Sequence, residues 1–478
     1  MPATRAAQAA LMVYLVLVPW APALWVDRTG HDTARVLQML LWALCGVALA
    51  TGGGQALGGR WARWAGLGVL SAALVLAARA PQPVWAGLEV AMWTGMVAVA
   101  MLVAELARRD GPWRRALAWA LLSAALLQGG LEVLLALLGL LQGIAPSAGL
   151  VGSGYDNLRF FNHVQTLSLP LAAMAPAWLE RRRGAEVMAL VALATGGAAL
   201  WASGGRATLA GLLAGAAVAA LFSGRAGRPT LQRALVALPL AALLYGLVWH
   251  WMPEWVGAVP VSGPESAQGM GQRMASGVND NARLALWGEA LAQWRQSPWL
   301  GLGPMHLAQW PNPRAMHPHQ LLLQGLAEWG TVFMVAVLGL TGVWLARRWH
   351  QGRTLAGADR AAATGAWLAV VASLVDAQFS GNAVMPVSQV WLGVAWGVLQ
   401  GCTAQPVDTG AGVLAGRLSR GLACALLLAA LWPVLRQWPD LDARLAAIWT
   451  DHFVHRTQPR FWSHGELFVP RAASSAAP

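Results

Sequence analysis

The chain has 478 residues, of which 57% are hydrophobic and 11% charged, and its mean hydropathy is +0.50. This composition excludes an ordinary soluble domain and indicates a polytopic membrane protein, because each helical span needs about 20 mainly apolar residues. The formal net charge is +12, but the basic residues are all arginines concentrated in short loops between apolar stretches. The charge therefore reflects membrane topology, and we expect no nucleic-acid partner.

Apolar stretches predict an all-α fold with about 12–13 transmembrane helices. The candidate spans are residues 8–26, 36–58, 64–79, 84–106, 116–145, 164–179, 186–202, 207–222, 234–252, 319–346, 361–378, 384–401 and 421–436. We expect residues 8–26 to stay as the first helix, since only Arg5 precedes them and another span follows closely. The short pair 186–202 and 207–222 forms either two spans or one re-entrant element.

Arginine-rich connections alternate along the chain with arginine-poor ones, which predicts a cytoplasmic N-terminus. The resulting organisation comprises N-terminal spans (1–145), an external loop (146–163), central spans with a break at 203–206 (164–252), a long external loop (253–316), C-terminal spans (317–436) and an external tail (437–478). The polar residues of the two loops, the break and the tail should therefore lie on one face of the membrane.

The external loop 253–316 is too long for a passive connection, and it predicts a helix over Asn281–Gln296. Its apolar residues recur at helical spacing, at Leu284, Trp287, Leu291 and Trp294, while Arg283 lies off that stripe. A membrane-parallel amphipathic helix fits this segment.

Three polar features should meet on the external face: Arg206 at the break, Arg283 on the loop helix, and the pair His317 and His319 before a span. Arginine binds phosphate oxygens through a forked, permanently charged donor set, and a helix N-terminus near Arg206 would add main-chain donors. A histidine can accept a proton from a hydroxyl group near neutral pH. These groups suit the displacement of a lipid pyrophosphate by an alcohol.

Each of these residues also has a structural interpretation. Arg206 fits a snorkelling interfacial arginine, Arg283 fits the solvated face of a helix, and the histidines fit polar caps of a span. Glu328 and Asp376 lie within spans, where they more readily orient a neighbour or satisfy a polar contact than act as catalytic acids. No His-Glu-x-x-His motif or pair of cysteines at metal-ligand spacing occurs, so we expect no metal and no cofactor.

Three segments resemble the bacterial O-antigen ligase and polymerase superfamily of membrane glycosyltransferases. RLALWGEALAQWRQSPWLGLGP (Arg283–Pro304) is similar to the family's arginine-led helix and its Pro/Gly-rich turn. HPHQLLLQGLAEWG (His317–Gly330) is similar to its histidine signature, and SGGRATLAGLL (Ser203–Leu213) to its helix break. The chain departs from the family at Gln320, where asparagine is usual, and at Gly205, where serine is usual.

The resemblance implies transfer of a glycan from undecaprenyl pyrophosphate to an acceptor at the periplasmic face of the bacterial inner membrane. It implies that His319 activates the acceptor hydroxyl, that Arg206 and Arg283 bind the pyrophosphate, and that the anomeric carbon is inverted without a metal. The expected substrate-binding residues, some from a ligase-like segment over Val151–Thr166, are His317, Gln320, Arg159, Asn162, His163, Gln165, Arg314 and Glu328.

The acceptor remains open at this point. Lipid A–core is the leading expectation, because relatives that act on proteins often carry a larger external C-terminal domain than the 42 residues of 437–478. An O-antigen polymerase and a protein O-oligosaccharyltransferase share the same donor chemistry. A transporter or flippase of lipid-linked glycans is the alternative from another class, although the chain has no convincing internal repeat of the kind common in transporters.

Overall fold

The computed structural model describes residues 2–24, 28–52, 60–109, 111–147, 151–152, 154–260, 281–309, 315–404, 413–441 and 460–463. These residues are almost entirely helical, because lipid offers backbone groups no hydrogen-bond partners and a helix satisfies them internally. One short parallel pair, β1 (Ile144–Ala145) with β2 (Val259–Pro260), joins two loops. The predicted all-α polytopic membrane fold is confirmed.

Seven helices make up the N-terminal part of the chain: α1 Pro2–Leu17, α2 Gly30–Ala50, α3 Arg60–Arg79, α4 Pro83–Arg108, α5 Pro112–Leu141, α6 Leu158–Met174 and α7 Arg183–Ser203. Proline occupies the first position of α4 and of α5, where its missing N–H leaves no hydrogen bond unmade. A 3-10 helix over Ala175–Leu179 continues α6.

Seven more helices follow: α8 Arg206–Gly246, α9 Met252–Trp255, α10 Asn281–Gln296, α11 Leu321–Gly352, α12 Gly357–Asp376, α13 Pro386–Thr403 and α14 Val413–Gln437. The helix expected in the long external loop is α10, with the predicted bounds. A π-helical turn over Leu247–Trp251 joins α8 to the short α9.

Ten of the described helices are long and apolar enough to cross a membrane, with residues 206–255 counted as one. That long helix is divided at Gly224, whose φ of 55° and ψ of −167° interrupt the helical backbone. Helices α6 and α13 pack within the same bundle, against α12 and α4. The described residues thus contain ten candidate spans, against the 12–13 that the sequence predicts.

The stretch 186–222 forms two packed helices, α7 and the first part of α8. They are joined by a tight turn at Gly204, whose φ of 64° ends α7 in the left-handed conformation that glycine adopts most readily. Arg183–Ser203 is one of the helices long and apolar enough to cross a membrane, as is the helix that begins at Arg206, which favours two spans over one re-entrant element.

One end of the bundle carries the predicted polar features. Hydrogen bonds join the N-terminus of α6 to the C-terminus of α7, the N-terminus of α11 to the residue after α12, and the N-terminus of α2 to that of α13. We call this the histidine end, because the loop that contains His317 and His319 lies there. The site is built from helix ends that the bundle holds together.

Candidate active site

The loop before α11 forms a compact turn that contains both predicted histidines. His319 has a φ of 53°, in the left-handed region, and its backbone N–H donates to Nδ1 of His317 at 3.3 Å. The two rings lie edge to face, with centroids 4.1 Å apart. This hydrogen bond requires an unprotonated Nδ1, so His317 must be neutral while the turn holds this shape.

Burial supports the neutral state of His317, which is 2% exposed. Burial, together with the nearby His319, Arg460 and His163, depresses the pKa of His317 well below its usual value of 6.5. His317 also packs closely on Gly381, where a Cβ would lie only 2.7 Å from its Cε1. His317 is therefore suited to support the turn and less suited to exchange protons.

The amide of Gln320 is engaged by the fold. Its side chain accepts a hydrogen bond from the Leu323 N–H at 2.5 Å and caps the N-terminus of α11. The next backbone N–H, that of Leu321, donates to the Ala377 carbonyl at 2.9 Å and ties the turn to the end of α12. The residue predicted to bind substrate thus fixes where α11 begins.

Helix α10 covers the histidine turn. The Trp287 indole N–H donates to the Pro318 carbonyl at 3.1 Å, between the two histidines in sequence. Arg283 lies one turn earlier on the same helix, close enough to Asp376 for their charges to interact. The predicted anion-binding arginine therefore lies on the helix that covers the turn, within electrostatic range of a carboxylate.

The turn between α7 and α8 places Arg206 at the first position of α8, with its side chain exposed. Arg159 of α6 donates to the Gly204 carbonyl at 3.2 Å, and this bond connects α6 to the turn. A Cβ at Gly205 would lie 2.8 Å from Cγ of Asn162, which explains why glycine stands here in place of serine. The helix N-terminus at Arg206 points main-chain donors toward the histidine end.

Besides Arg159, helix α6 carries three predicted substrate residues, and two of them make packing contacts. Asn162 donates to Oγ of Ser203 at 2.7 Å and to Gln165 at 2.9 Å, while Gln165 donates to the Gly196 carbonyl at 2.7 Å. These bonds hold α6 on α7. His163 is buried and interacts electrostatically with His319, and its Nδ1 has no partner among the described residues.

A buried hydroxyl and carboxylate cluster joins the parts of the site. Thr166 of α6 donates to Thr208 of α8 at 3.0 Å or to the Asp376 carboxylate of α12 at 3.2 Å. Through Asp376 the cluster also reaches Arg283. Sequence reasoning assigned Asp376 a structural contact and did not single out the threonines, because nothing local marks two threonines in separate helices as partners.

Glu328 is fully buried and ion-paired with Arg460, at 2.7 Å between Oε2 and Nη2. Its other oxygen accepts the Leu307 N–H at 3.2 Å. Through these contacts Glu328 belongs to the framework that supports the histidine turn. This arrangement fits the expectation that Glu328 orients a neighbouring residue. Arg314, also predicted to bind substrate, lies outside the described residues.

The arrangement places a histidine on a strained turn that the helix of Arg283 covers, and Arg206 at the first position of α8. A neutral imidazole can accept a proton, and guanidinium groups can stabilise negative charge that develops near it. Within the described ranges, no group of three or more His, Cys, Asp or Glu side chains is arranged to hold a metal ion.

A protein-family model described as O-antigen ligase matches residues 189–338. The matched range runs from α7 into α11 and contains Arg206, Arg283 and His319. No curated protein matches the chain.

Proposed function

Because residues 189–338 match a family model described as O-antigen ligase, we propose that the chain transfers a glycan from undecaprenyl pyrophosphate to a lipid A–core hydroxyl. The observation that carries the proposal is the left-handed turn at His319, covered by the helix that contains Arg283. Arg206 begins α8, which the Thr166–Asp376 cluster joins to α6 and α12. The positive-inside distribution of arginine supports a periplasmic site in the inner membrane.

The proposed mechanism is a direct displacement. His319 takes the proton of the acceptor hydroxyl, and the acceptor oxygen forms a bond to the anomeric carbon. The bond from that carbon to the pyrophosphate oxygen breaks, and its electron pair leaves with the lipid pyrophosphate. Attack from the opposite face inverts the anomeric configuration and needs neither a covalent enzyme intermediate nor a metal.

The arginines act on the leaving group in this proposal. Arg206 and Arg283 hold the pyrophosphate and stabilise the charge that grows as the bond breaks. Asp376, within electrostatic range of Arg283, orients that guanidinium, and main-chain donors at the start of α8 add to the anion site. Donor lipid and lipid A–core both approach through the membrane, so the enzyme's partners include membrane lipids.

The test is glycan transfer by purified full-length protein in liposomes, with EDTA present and no nucleotide. The donor is an undecaprenyl-pyrophosphate glycan, offered separately with lipid A–core, a second donor glycan or a pilin-type protein. We expect transfer to lipid A–core, and His319→Ala should lower its rate by ~10²–10⁴-fold, as loss of a proton-transfer residue typically does. The matched control is His350→Ala, because His350 is exposed near the C-terminus of α11.

The choice of acceptor separates the related activities. Transfer to the second donor glycan alone would identify a polymerase, and transfer to the pilin alone an oligosaccharyltransferase. If folded wild-type protein binds the donor but transfers nothing, the enzyme proposal is wrong, and donor translocation across the liposome should then be measured.

A further inference from the structure

A short piece of the C-terminal tail, Arg460–Ser463, is inserted into the histidine end. Arg460 and Phe461 are fully buried, and Trp462 is 2% exposed. The Phe461 carbonyl accepts from Arg35 at 3.1 Å and lies 3.0 Å from Nε2 of His31. The segment is therefore held by main-chain contacts as well as by apolar burial.

Further polar contacts anchor both ends of the segment. The Arg460 carbonyl accepts from Nη2 of Arg35 at 3.1 Å, and the same nitrogen donates to the Val384 carbonyl at 2.7 Å. At the other end, the N–H and the hydroxyl of Ser463 each donate to the Asp32 carboxylate at 2.7 Å. The tail thus ties the N-terminus of α2 to the loop before α13.

The Arg460 side chain lies between two buried carboxylates. A single nitrogen, Nη2, contacts both oxygens of Glu328, at 2.7 and 3.0 Å, and lies 3.4 Å from Glu89. Its Nε and Nη1 are buried and have no hydrogen-bond partner among the described residues. Although burial lowers the pKa of Arg460, the two carboxylates raise it further, so the cation is retained.

Arg460 is connected to the histidine turn in two ways. Glu328 lies at the end of the helical segment that begins directly after the turn, so the ion pair fixes that segment. The Arg460 charge also acts on His317, as do His319 from the turn and His163 from α6. All three disfavour a proton on His317, whose neutral Nδ1 accepts the His319 N–H.

We infer that Arg460 is a positioning residue for the transfer reaction: its cation, fixed between Glu89 and Glu328, holds the His317–His319 turn in reactive geometry. The inference rests on the proposed function. Arg460 is fully buried and cannot contact substrate in this structure, so its effect must pass through the turn. We therefore expect its loss to lower kcat, with little change in KM for the donor.

Two variants separate this role from simple stabilisation. Arg460→Lys keeps the charge, and because Nη2 alone makes the side-chain contacts, one ammonium can replace it. The triple variant Arg460→Gln, Glu89→Gln and Glu328→Gln removes the three charges of this cluster together, a change that folded proteins often tolerate. Arg436→Gln is the control for loss of an exposed arginine near the same end.

The experiment measures kcat, KM and the pH profile of kcat/KM in liposomes, beside thermal unfolding. Arg460→Lys should retain wild-type kcat, whereas the triple variant should unfold like wild type but lose ~10²-fold in kcat, as a misplaced catalytic group does.

A folded triple variant with wild-type kcat would overturn the inference. If the triple variant does not fold, the double variant Arg460→Gln with Glu328→Gln carries the same expectations, because Glu89 makes only the longer contact. An inactive wild-type protein would instead contradict the proposed function, so the two failures are distinguishable.

Discussion

His319 adopts a left-handed backbone conformation that non-glycine residues rarely adopt, with a φ of 53°. Such a conformation destabilises a protein by about 1–3 kcal/mol, persists only where the surroundings enforce it, and is concentrated at functional sites. Here the surroundings are the hydrogen bond to His317, the Trp287 contact at Pro318 and the cap by Gln320. The strain is consistent with a residue held for chemistry.

The buried His317 should make the protein less stable in acid. Its pKa is depressed in the folded state, so as pH falls below about 6.5 the unfolded state binds a proton that the folded state does not. The free energy of unfolding should therefore decrease as the pH falls below that value. Above it, His317 should contribute no pH dependence to the free energy of unfolding. Replacement by asparagine, whose amide oxygen can replace Nδ1 as an acceptor, should flatten this dependence.

Unfolding followed by tryptophan fluorescence at several pH values would measure the effect. His350→Asn, at an exposed position near the C-terminus of α11, is the control and should leave the pH dependence as in wild type. An identical acid slope in His317→Asn and wild type would contradict this prediction.

At the scale of elements, α11 is two helices joined at Gly330. This residue has a φ of 75° and a ψ of 169°, a region open almost only to glycine. Residues 298–303 pack into the break: the Thr331 N–H donates to the Pro298 carbonyl at 2.8 Å, and the Gly303 N–H to the Glu328 carbonyl at 3.0 Å. The Pro/Gly-rich turn after α10 is thereby docked on the helix that carries Glu328.

Gly330→Ala should destabilise the protein by about 1–3 kcal/mol from backbone strain alone. Steric overlap adds to this, since the new Cβ would lie 2.4 Å from the Gly301 nitrogen. Gly339→Ala is the matched control, because Gly339 lies in the same helix with open space around it and alanine favours helix by ~1 kcal/mol. Thermal unfolding in detergent compares the two variants. Equal melting temperatures would contradict a break in the helix at Gly330.

At the scale of the whole molecule, glycines let helices approach closely, as is common in membrane bundles. Gly393, Gly397 and Gly401 form a row on α13 that faces the backbone of α4. Gly211 and Gly215 of α8 contact α12 in the same way. Van der Waals packing along these rows replaces the hydrophobic driving force that is absent between helices in lipid.

Gly397→Ala should destabilise the bundle by about 1–3 kcal/mol, the usual effect of overpacking. Its Cβ would lie 2.6 Å from both the Ala100 carbonyl and Cβ of Val103, so α4 and α13 must separate. Gly66→Ala on α3 is the control, since nothing lies within 4 Å of that position. A melting temperature for Gly397→Ala that equals that of the control would contradict close packing of α13 on α4.

Local sequence predicts many of the candidate site residues. It does not predict the contacts that hold them in place. Gln320 illustrates the limit: an amide beside two histidines suggests a ligand contact, but the structure uses it as a helix cap. Arg460 lay in a tail that sequence analysis left without a role. The available signals were a cation beside two aromatic residues, and the ionisable residues Asp32, Arg35 and Glu89 near or within apolar stretches.

The sequence by itself determined that this is an all-α polytopic membrane protein, and its residues 189–338 match a family model described as O-antigen ligase. Apolar runs, arginine bias and motif spacing are local properties of the sequence. They predict the fold class well because apolar segments in lipid must satisfy their backbone hydrogen bonds internally, as helices do. Only the tertiary structure decided which buried polar groups meet, such as Arg460 with Glu328, 132 residues apart. Such pairing depends on how helix ends are brought together, because a buried charge is stable only where the packed bundle places an opposite charge beside it.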